Sequence, residues 1–450
     1  MRQPFQLPLF RFQYHCGQNG RPGVILKRFI PVICNVEKAQ QSITRTILLV
    51  VGIAVAILLC ATHGMAQSAA GFMYGKVYTA SATYEGQIRW GTEEAFWTDF
   101  FNASKKSTSN YKKQVTQDRK EESSWMDFDW DILSIWENKT TIHQFSCQFG
   151  DIKELEVLNR SNARLRFKNG LQMEVNGDGY NDIGTKIQVL DKELGWTSLH
   201  WDKVQKVEFA SIPAGTPVLA TAPLYGTVET SRKEKFTGYI QWDHDERVST
   251  DKLDGESRDG KISAAFSEIV SIEKNDGGSD VAFKSGRQLH LTGTNDVNSD
   301  NKGIIVIQPG KGMVDIPWNS FKKVTFTAAA NSGPSFESFA DPKKLSGTVF
   351  LYDAKEIAGN LIYDLDESLD VETLEGKDNN IQYTIPFRNI KSIKPKNLDY
   401  ATIELKNGET LLLGDGRDVS GSNDGILVIV KGKKEPVHVR WKNIDQIIFD

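Results

Sequence analysis

An internal repeat constrains this chain more than any other feature, because its fold must be made from one unit used several times. LYGTVETSRKEKFTGYIQWDHDE from position 224 aligns with LSGTVFLYDAKEIAGNLIYDLDE from position 345 at an offset of 121. Gly226, Gly238, Asp243, Asp245 and Glu246 fall on Gly347, Gly359, Asp364, Asp366 and Glu367. Phe266, Ile269 and Ile272 fall on Phe387, Ile390 and Ile393 at the same offset. Asp296, Val297 and Gly303 match Asp418, Val419 and Gly425 at 122, and Trp318, Phe321, Val324 and Phe326 match Trp441, Ile444, Ile447 and Phe449 at 123. An earlier copy is more diverged. Gly86, Trp90, Glu94, Thr98, Asp99 and Asn102 match the second copy at an offset of 152, and Phe149, Ile152, Leu155, Trp201, Val204, Val207 and Phe209 at 117. The change of offset gives the first copy 35 extra residues. The chain therefore divides into a leader over 1–66, a first repeat over 75–209 with an insertion at 105–140, a second over 226–326 and a third over 347–449. The joints at 210–223 and 327–344 are rich in Ala, Pro, Gly and Ser and read as linkers.

Each copy also looks double. Its second half alternates apolar and polar residues in short runs, YATIELKNGETLLLGDG, GILVIV and EPVHVRWKNIDQIIFD in the third copy, as half-buried strands do. The tetrapeptide Leu405-Lys406-Asn407-Gly408 recurs as Phe167-Lys168-Asn169-Gly170 and nearly as Phe283-Lys284-Ser285-Gly286. Asn-Gly suits the two positive φ values of a tight hairpin turn. Both halves close alike, IQYTIPFRNIKSIKP and VHVRWKNIDQIIF, reading as strand, short kinked turn and strand. Five short strands in about 50 residues with one helical turn before the last resemble SH3-like or Sm-like small barrels in strand order. A barrel of that size has a marginal core alone, and pairing two buries more apolar surface. The expected fold is all-β: three tandem repeats, each a pair of small five-stranded SH3-like/Sm-like barrels.

Four features are candidate sites. The first is the acidic hairpin loop, Trp242-Asp243-His244-Asp245-Glu246 and Tyr363-Asp364-Leu365-Asp366-Glu367, with Trp90-Gly91-Thr92-Glu93-Glu94 in the first copy. Alternating carboxylates could hold Ca²⁺, but one loop rarely supplies six to eight oxygens, and a solvated turn needs the same residues. Trp90, Trp242 and Tyr363 flank this loop and either stack on a sugar or partner or pack between barrels. The second is the Asn/Asp/Gly loop of each second half. Asp296, Asn298 and Asp300 start like an EF-hand, but Asn301 stands where Gly is needed and Ile307 where Glu is needed, so Asp182, Asp296 and Asp418 read as Asx-turn residues. The third is the aromatic set Trp201, Trp318 and Trp441, whose spacing to the closing strands is that of an interior seam. The fourth is the insertion, where Met126, Phe128 and Trp130 alternate with Asp127, Asp129 and Asp131. With Trp125 it is either a binding arm or a cap on the end of the array.

Charge and targeting narrow the function. The formal net charge is −4; residues 1–66 carry net +6, leaving −10 on the rest, so a nucleic-acid partner is not expected. Ile47 to Ala61 is an uncharged apolar run behind Arg45, followed by GMAQSAAG with small-residue cleavage positions after Ala66 or Ala70. Fifteen apolar residues are short for a bilayer span and fit a secretory signal peptide; an uncleaved single-pass anchor is the alternative, and the only expected membrane contact. After cleavage only Cys147 remains, so the fold has no internal disulfide and no CxxC zinc motif, and Cys147 reads as a buried thiol. HExxH, GxSxG and GxxxxGK[ST] are absent. No catalytic residue, metal ligand or cofactor is assigned. The reading is a non-catalytic periplasmic or secreted cell-envelope protein that binds a protein or glycan through Trp90, Trp242, Asp243, Asp245, Glu246, Tyr363, Asp364, Asp366 and Glu367 and through Trp125, Phe128 and Trp130. The alternatives are a hydrolase of envelope polymer using acidic pairs between barrels and a Ca²⁺-stabilised adhesive array.

Overall fold

A computed structural model describes residues 69–106 and 142–450 apart from positions 181, 215, 217, 220, 434 and 435. The apolar run at 47–61, with the leader, and the insertion residues Trp125, Phe128 and Trp130 lie outside the described residues. No helix among the described residues is long and apolar enough to cross a membrane. The described residues belong to one compact unit, Ala66–Asp450, and it is all-β: strands joined by hairpins and single 3-10 turns.

In the first segment the strands are β1 (Tyr74–Thr79), β2 (Thr83–Trp90), β3 (Phe100–Lys106), β4 (Ile142–Gln148), β5 (Ile152–Val157), β6 (Asn162–Phe167), β7 (Gln172–Asn176), β8 (Ile187–Asp191), β9 (Gly195–Leu199) and β10 (Val204–Phe209). The second holds β11 (Tyr225–Thr230), β12 (Lys235–Trp242), β13 (Lys252–Ser257), β14 (Gly260–Ala265), β15 (Ile269–Asn275), β16 (Gly278–Phe283), β17 (Gln288–Leu291), β18 (Ile304–Gln308), β19 (Gly312–Ile316) and β20 (Phe321–Phe326). The third holds β21 (Ser346–Leu351), β22 (Glu356–Ile362), β23 (Thr373–Asp378), β24 (Ile381–Pro386), β25 (Ile390–Pro395), β26 (Tyr400–Leu405), β27 (Thr410–Gly414), β28 (Ile426–Ile429), β29 (Val437–Val439) and β30 (Ile444–Phe449).

The pairings differ from two separate barrels per segment. In the first segment β1 pairs with β2 and β10, β2 with β8, and β8 with β9. The other set joins β5 to β6 and β10, β6 to β7, and β3 to β4, with a single Ser104–Asn176 bridge from β3 to β7. Neither half closes on itself: the first hairpin of each half lies against the last three strands of the other. β11–β20 and β21–β30 pair in the same order. No ladder joins β9 to β10, or β29 to β30, where the 3-10 turns Trp201–Lys203 and Trp441–Asn443 intervene, so no closed barrel forms. Exchange of hairpins gives both halves one shared interior, which compensates for the small core of either alone.

The glycines of the opening hairpins show why the register is fixed. Gly75, Gly226 and Gly347 face Phe209, Phe326 and Phe449. A Cβ there would lie 2.1–2.2 Å from the carbonyls of Glu208, Thr325 and Ile448. The strands then bury alternate residues: β26 turns Ala401, Ile403 and Leu405 inward and leaves Tyr400 exposed. The Lys-Asn-Gly turn is a variant of the expected one. Gly170 has φ +86° while Asn169 keeps a negative φ. Gly170 N donates to Phe167 O and Phe167 N to Leu171 O, a three-residue loop ending in a glycine bulge.

The first segment forms a ten-stranded sheet, whereas the second and third share an eighteen-stranded one. The stretch at 327–344 is more than a linker. Its Phe336 and Phe339 are buried in the core of the first segment, Phe336 stacked on Trp97 at 4.6 Å. Lys168 Nζ donates to Phe339 O at 3.0 Å, and Gly71 N to Ser332 Oγ at 2.8 Å.

Candidate functional site

The acidic loops turn tightly because their first two residues are left-handed: Asp243 and His244 at φ +51° and +61°, Asp364 and Leu365 at +47° and +59°, with Gly91 at +61° in the first segment. Asp, like Gly, tolerates that region, so the recurring acid has a backbone reason. It also has a side-chain one. Asp243 Oδ1 accepts Lys302 N and Asp364 Oδ1 accepts Asp424 N, each at 2.5 Å, tying the loop to the Asn/Asp/Gly loop of the second half. Both carboxylates are buried. Asp364 is also paired with Arg417 at 2.6 Å.

Trp90, Trp242 and Tyr363 are each 0% exposed and offer no ring face to a sugar. They pack instead between the two halves of their own segment. Trp90 meets Phe149 and Trp201, Trp242 meets Phe266 and Trp318, and Tyr363 meets Phe387 and Trp441, one aromatic cluster per segment. Trp201, Trp318 and Trp441 are buried, as their spacing predicts. The polar tip of each flanking aromatic finds a carbonyl: Trp90 Nε1 to Asp182 O at 2.8 Å, Trp242 Nε1 to Asp296 O at 2.9 Å, and Tyr363 OH to Asp418 O at 2.5 Å.

Those three aspartates are not Asx-turn residues. Their side chains cross to another strand, Asp182 Oδ2 accepting Asn102 N, Asp296 Oδ2 accepting Asp254 N and Asp418 Oδ2 accepting Glu375 N, at 2.5–2.6 Å. The local turns belong instead to asparagines: Asn298 with Asp300 N, and Asn301 and Asn423 with the amides of Gly303 and Gly425. Near each aspartate sits a glutamate at the loop's end, Glu94, Glu246 or Glu367, with one buried oxygen lacking a hydrogen-bond partner. Burial, and then the Asp296 charge, pushes Glu246 up to about 9; burial with neighbouring aspartates pushes Glu94 and Glu367 well above the carboxylate range. Burial also raises Asp182 and Asp418 to about 7 and Asp296 to about 6. Among the described residues, no group of three His, Cys, Asp or Glu side chains is arranged to hold a metal ion. Cys147 is buried, which raises its thiol pKa.

The remaining loop charges hold segments together. Asp99 Oδ2 caps the amides of Ala95 and Phe96, and its Oδ1 accepts Arg247 Nε and Nη2 of the second segment at 3.1 and 2.9 Å. Arg247 is 0% exposed, lies over the Phe96 ring and gives its third bond to Ile240 O. Asp251, at the matching position, caps Arg247 N and Val248 N and holds Arg89 of the first segment through two bonds of 2.7 and 2.8 Å. Glu372 follows the same plan, capping Ser368 N and Leu369 N and pairing with Lys105 of the first segment. Burial alone would lower Lys105, but Asp366 and Glu372 outweigh it and keep it charged. Asp366 also binds His143 Nδ1 at 3.0 Å, and Asp245 accepts Thr92 Oγ1 at 3.1 Å. Asp245 and Asp366 are therefore inter-segment contacts. Lys105 on β3 and His143 on β4 thus lie against the third segment's acidic loop.

Sequence reasoning missed Arg89, Lys105 and Arg247. The available signal was the acid recurring as Asp99, Asp251 and Glu372 in the repeat register. It also missed the aromatic surface. Between the first and second segments lies a cleft of about 140 Å³, lined by Gln87, Arg89, Gln188, Trp196, Thr221 and Thr250 among others. Trp196 is 46% exposed, and Leu194 beside it is 66% exposed. A cleft with a half-open indole and amide and hydroxyl groups can take an apolar or sugar-like face and fix it by hydrogen bonds. No protein-family model matches this chain, and no curated protein or solved structure is significantly similar to it.

Proposed function

We propose that this chain is an exported, non-catalytic cell-envelope protein, periplasmic or secreted, made of three tandem copies of a paired unit with SH3-like strand order, and that it acts by binding a protein or glycan partner. The observation that carries the reading is a contrast. The loop aspartates are committed to turns and to contacts within and between segments, while Trp196 stands half-exposed at a cleft whose polar lining includes Gln87, Arg89, Gln188, Thr221 and Thr250, with exposed Leu194 two residues away. Exposed aromatic residues beside a concave surface are the common anchor of a binding site. The test is a photoreactive residue at position 196 in cells, combined with fractionation. Cross-linking to an envelope protein or glycan is expected; a chain retained in the cytoplasm, or a residue 196 that captures nothing while its fold is intact, defeats the reading. Hydrolysis of envelope polymer is the second reading, favoured by carboxyl pairs such as Glu246 and Asp296 with separated proton affinities. Turnover lost in folded Asp243→Asn and Asp364→Asn chains would put it first.

A further inference from the structure

We propose that the outer edge of β9 takes an extended segment of a partner polypeptide as an added antiparallel strand; this rests on the binding reading above and names the partner's chemistry. The template is inside the molecule. β19, the counterpart of β9 at the offset of 117, pairs along its outer edge with β24 of the next segment, Met313 with Thr384, Val314 with Tyr383 and Asp315 with Gln382. The matching residues of β9 are Trp196, Thr197 and Ser198. Among the described residues β9 ends its ten-stranded sheet, with β8 as its only partner. β14, the counterpart of β24, pairs in a ladder only with β13. The ladder that joins the second segment to the third is thus missing between the first and second.

Local chemistry distinguishes this edge from an idle one. At Gly312 a Cβ would lie 2.3 Å from Thr384 O, the mark of a strand in place; at Gly195, its counterpart, nothing lies within 4 Å. Exposed edges are normally blunted by proline, charge or shortening. The third counterpart, β29, has three residues and follows Pro436. β9 has five, Gly-Trp-Thr-Ser-Leu, without proline or charge. Where the paired hairpin carries the buried Lys311, bonded to Glu409 at 2.6 Å, β9's hairpin carries exposed Leu194. In that register the partner residue facing Trp196 stands where Thr384 faces Met313, and the one facing Thr197 stands where Tyr383 faces Val314; the exposed Trp196 and Leu194 favour apolar or β-branched residues beside them. A strand bound this way gains main-chain hydrogen bonds for affinity and alternate side chains for selectivity.

The probe is a blocked peptide of the sequence NIQYTIPF (positions 380–387), titrated into the full chain and followed by anisotropy and by hydrogen exchange. Saturable binding with new protection at 195–199 is expected. N-methylation of the peptide amides that face β9 abolishes it, methylation of the alternate amides leaves it, and Thr197→Pro weakens it by roughly tenfold or more. Absence of saturable binding, equal loss with both methylation patterns, protection at 312–316 instead, or a β9-mediated dimer in sedimentation each overturns the proposal. If cross-linking from position 196 still captures an envelope partner after such a result, the binding reading survives and only strand addition falls.

Discussion

The joint between the first and second segments and the joint between the second and third are made from counterpart elements in opposite ways. The first is clamped by side chains: Asp99 on Arg247, Asp251 on Arg89, and a small apolar cluster of Phe72, Ala95, Phe96 and Val248. The second is stitched by backbone, β19 to β24, and its core runs continuously through both segments. A buried ion pair gives a specific but brittle contact, since each charge relies on the other for solvation. A backbone ladder depends on local shape and is largely indifferent to side-chain charge. The clamped joint also leaves the outer edge of β9 without a strand among the described residues, so the lack of a ladder at one joint is what creates the free edge there.

The largest expected effect is at the clamp. Asp99→Ala strands Arg247 in a site with no solvent access and should cost about 3–5 kcal/mol in equilibrium unfolding. The double change Asp99→Leu with Arg247→Met should recover the part of that loss that comes from the unpaired charge, because apolar packing replaces a buried pair at little net cost, while the Ala95 and Phe96 amides stay uncapped. A single-mutant loss below about 1 kcal/mol would mean that the joint rests on its apolar cluster and not on the charges.

Much of this was legible in the sequence, and what was not has a physical cause. The strands and the Trp201, Trp318 and Trp441 seam follow from period-two burial, which is a local property. The acidic loops were legible as places but not as roles: Asp243 is required by a left-handed turn and a distant amide, and Asp366 by Lys105, and neither partner is near in sequence. Hairpin exchange was invisible because alternation fixes which face of a strand is buried and not which strand lies beside it. Trp90, Trp242 and Tyr363 looked available because they adjoin charged loops, yet the tight turn folds each back into its own aromatic cluster. Leu194 and Trp196 drew no notice because a single apolar residue near a turn carries no periodic signal.

A smaller effect separates the two joints at one matched glycine. Gly312 has φ +138° and faces Thr384 O, so Gly312→Ala should cost about 1–3 kcal/mol and loosen β19 from β24. Gly195→Ala, at φ +70° with open space around it, should cost about 1 kcal/mol from backbone strain alone. Equal losses would show that the ladder at the second joint contributes little. Native-state hydrogen exchange sharpens the same point: the bonded amides within Met313–Asp315 should outlast those of Trp196–Ser198 in the free chain, and matched rates would remove the asymmetry.

A further effect is pH, and it originates in the buried carboxyls of the segment interiors. Glu246 is raised from an ordinary 4.5 to about 9 by burial and by Asp296, and Asp296 from 3.8 to about 6. A carboxyl with a raised folded pKa favours the fold in its protonated form. Its contribution is complete below the unfolded value and is lost as pH climbs through the folded one. Stability should therefore decline from about pH 5 towards pH 9, by at most about 1.4 kcal/mol per pH unit for each proton the folded state retains. Glu246→Gln keeps a neutral side chain of the same shape and should flatten part of that slope, leaving stability at pH 5 nearly unchanged. Glu94 and Glu367 hold the matching places in the other segments, so the three glutamines together should flatten it further. A slope that persists in the triple variant would show that these three glutamates are not the groups that titrate.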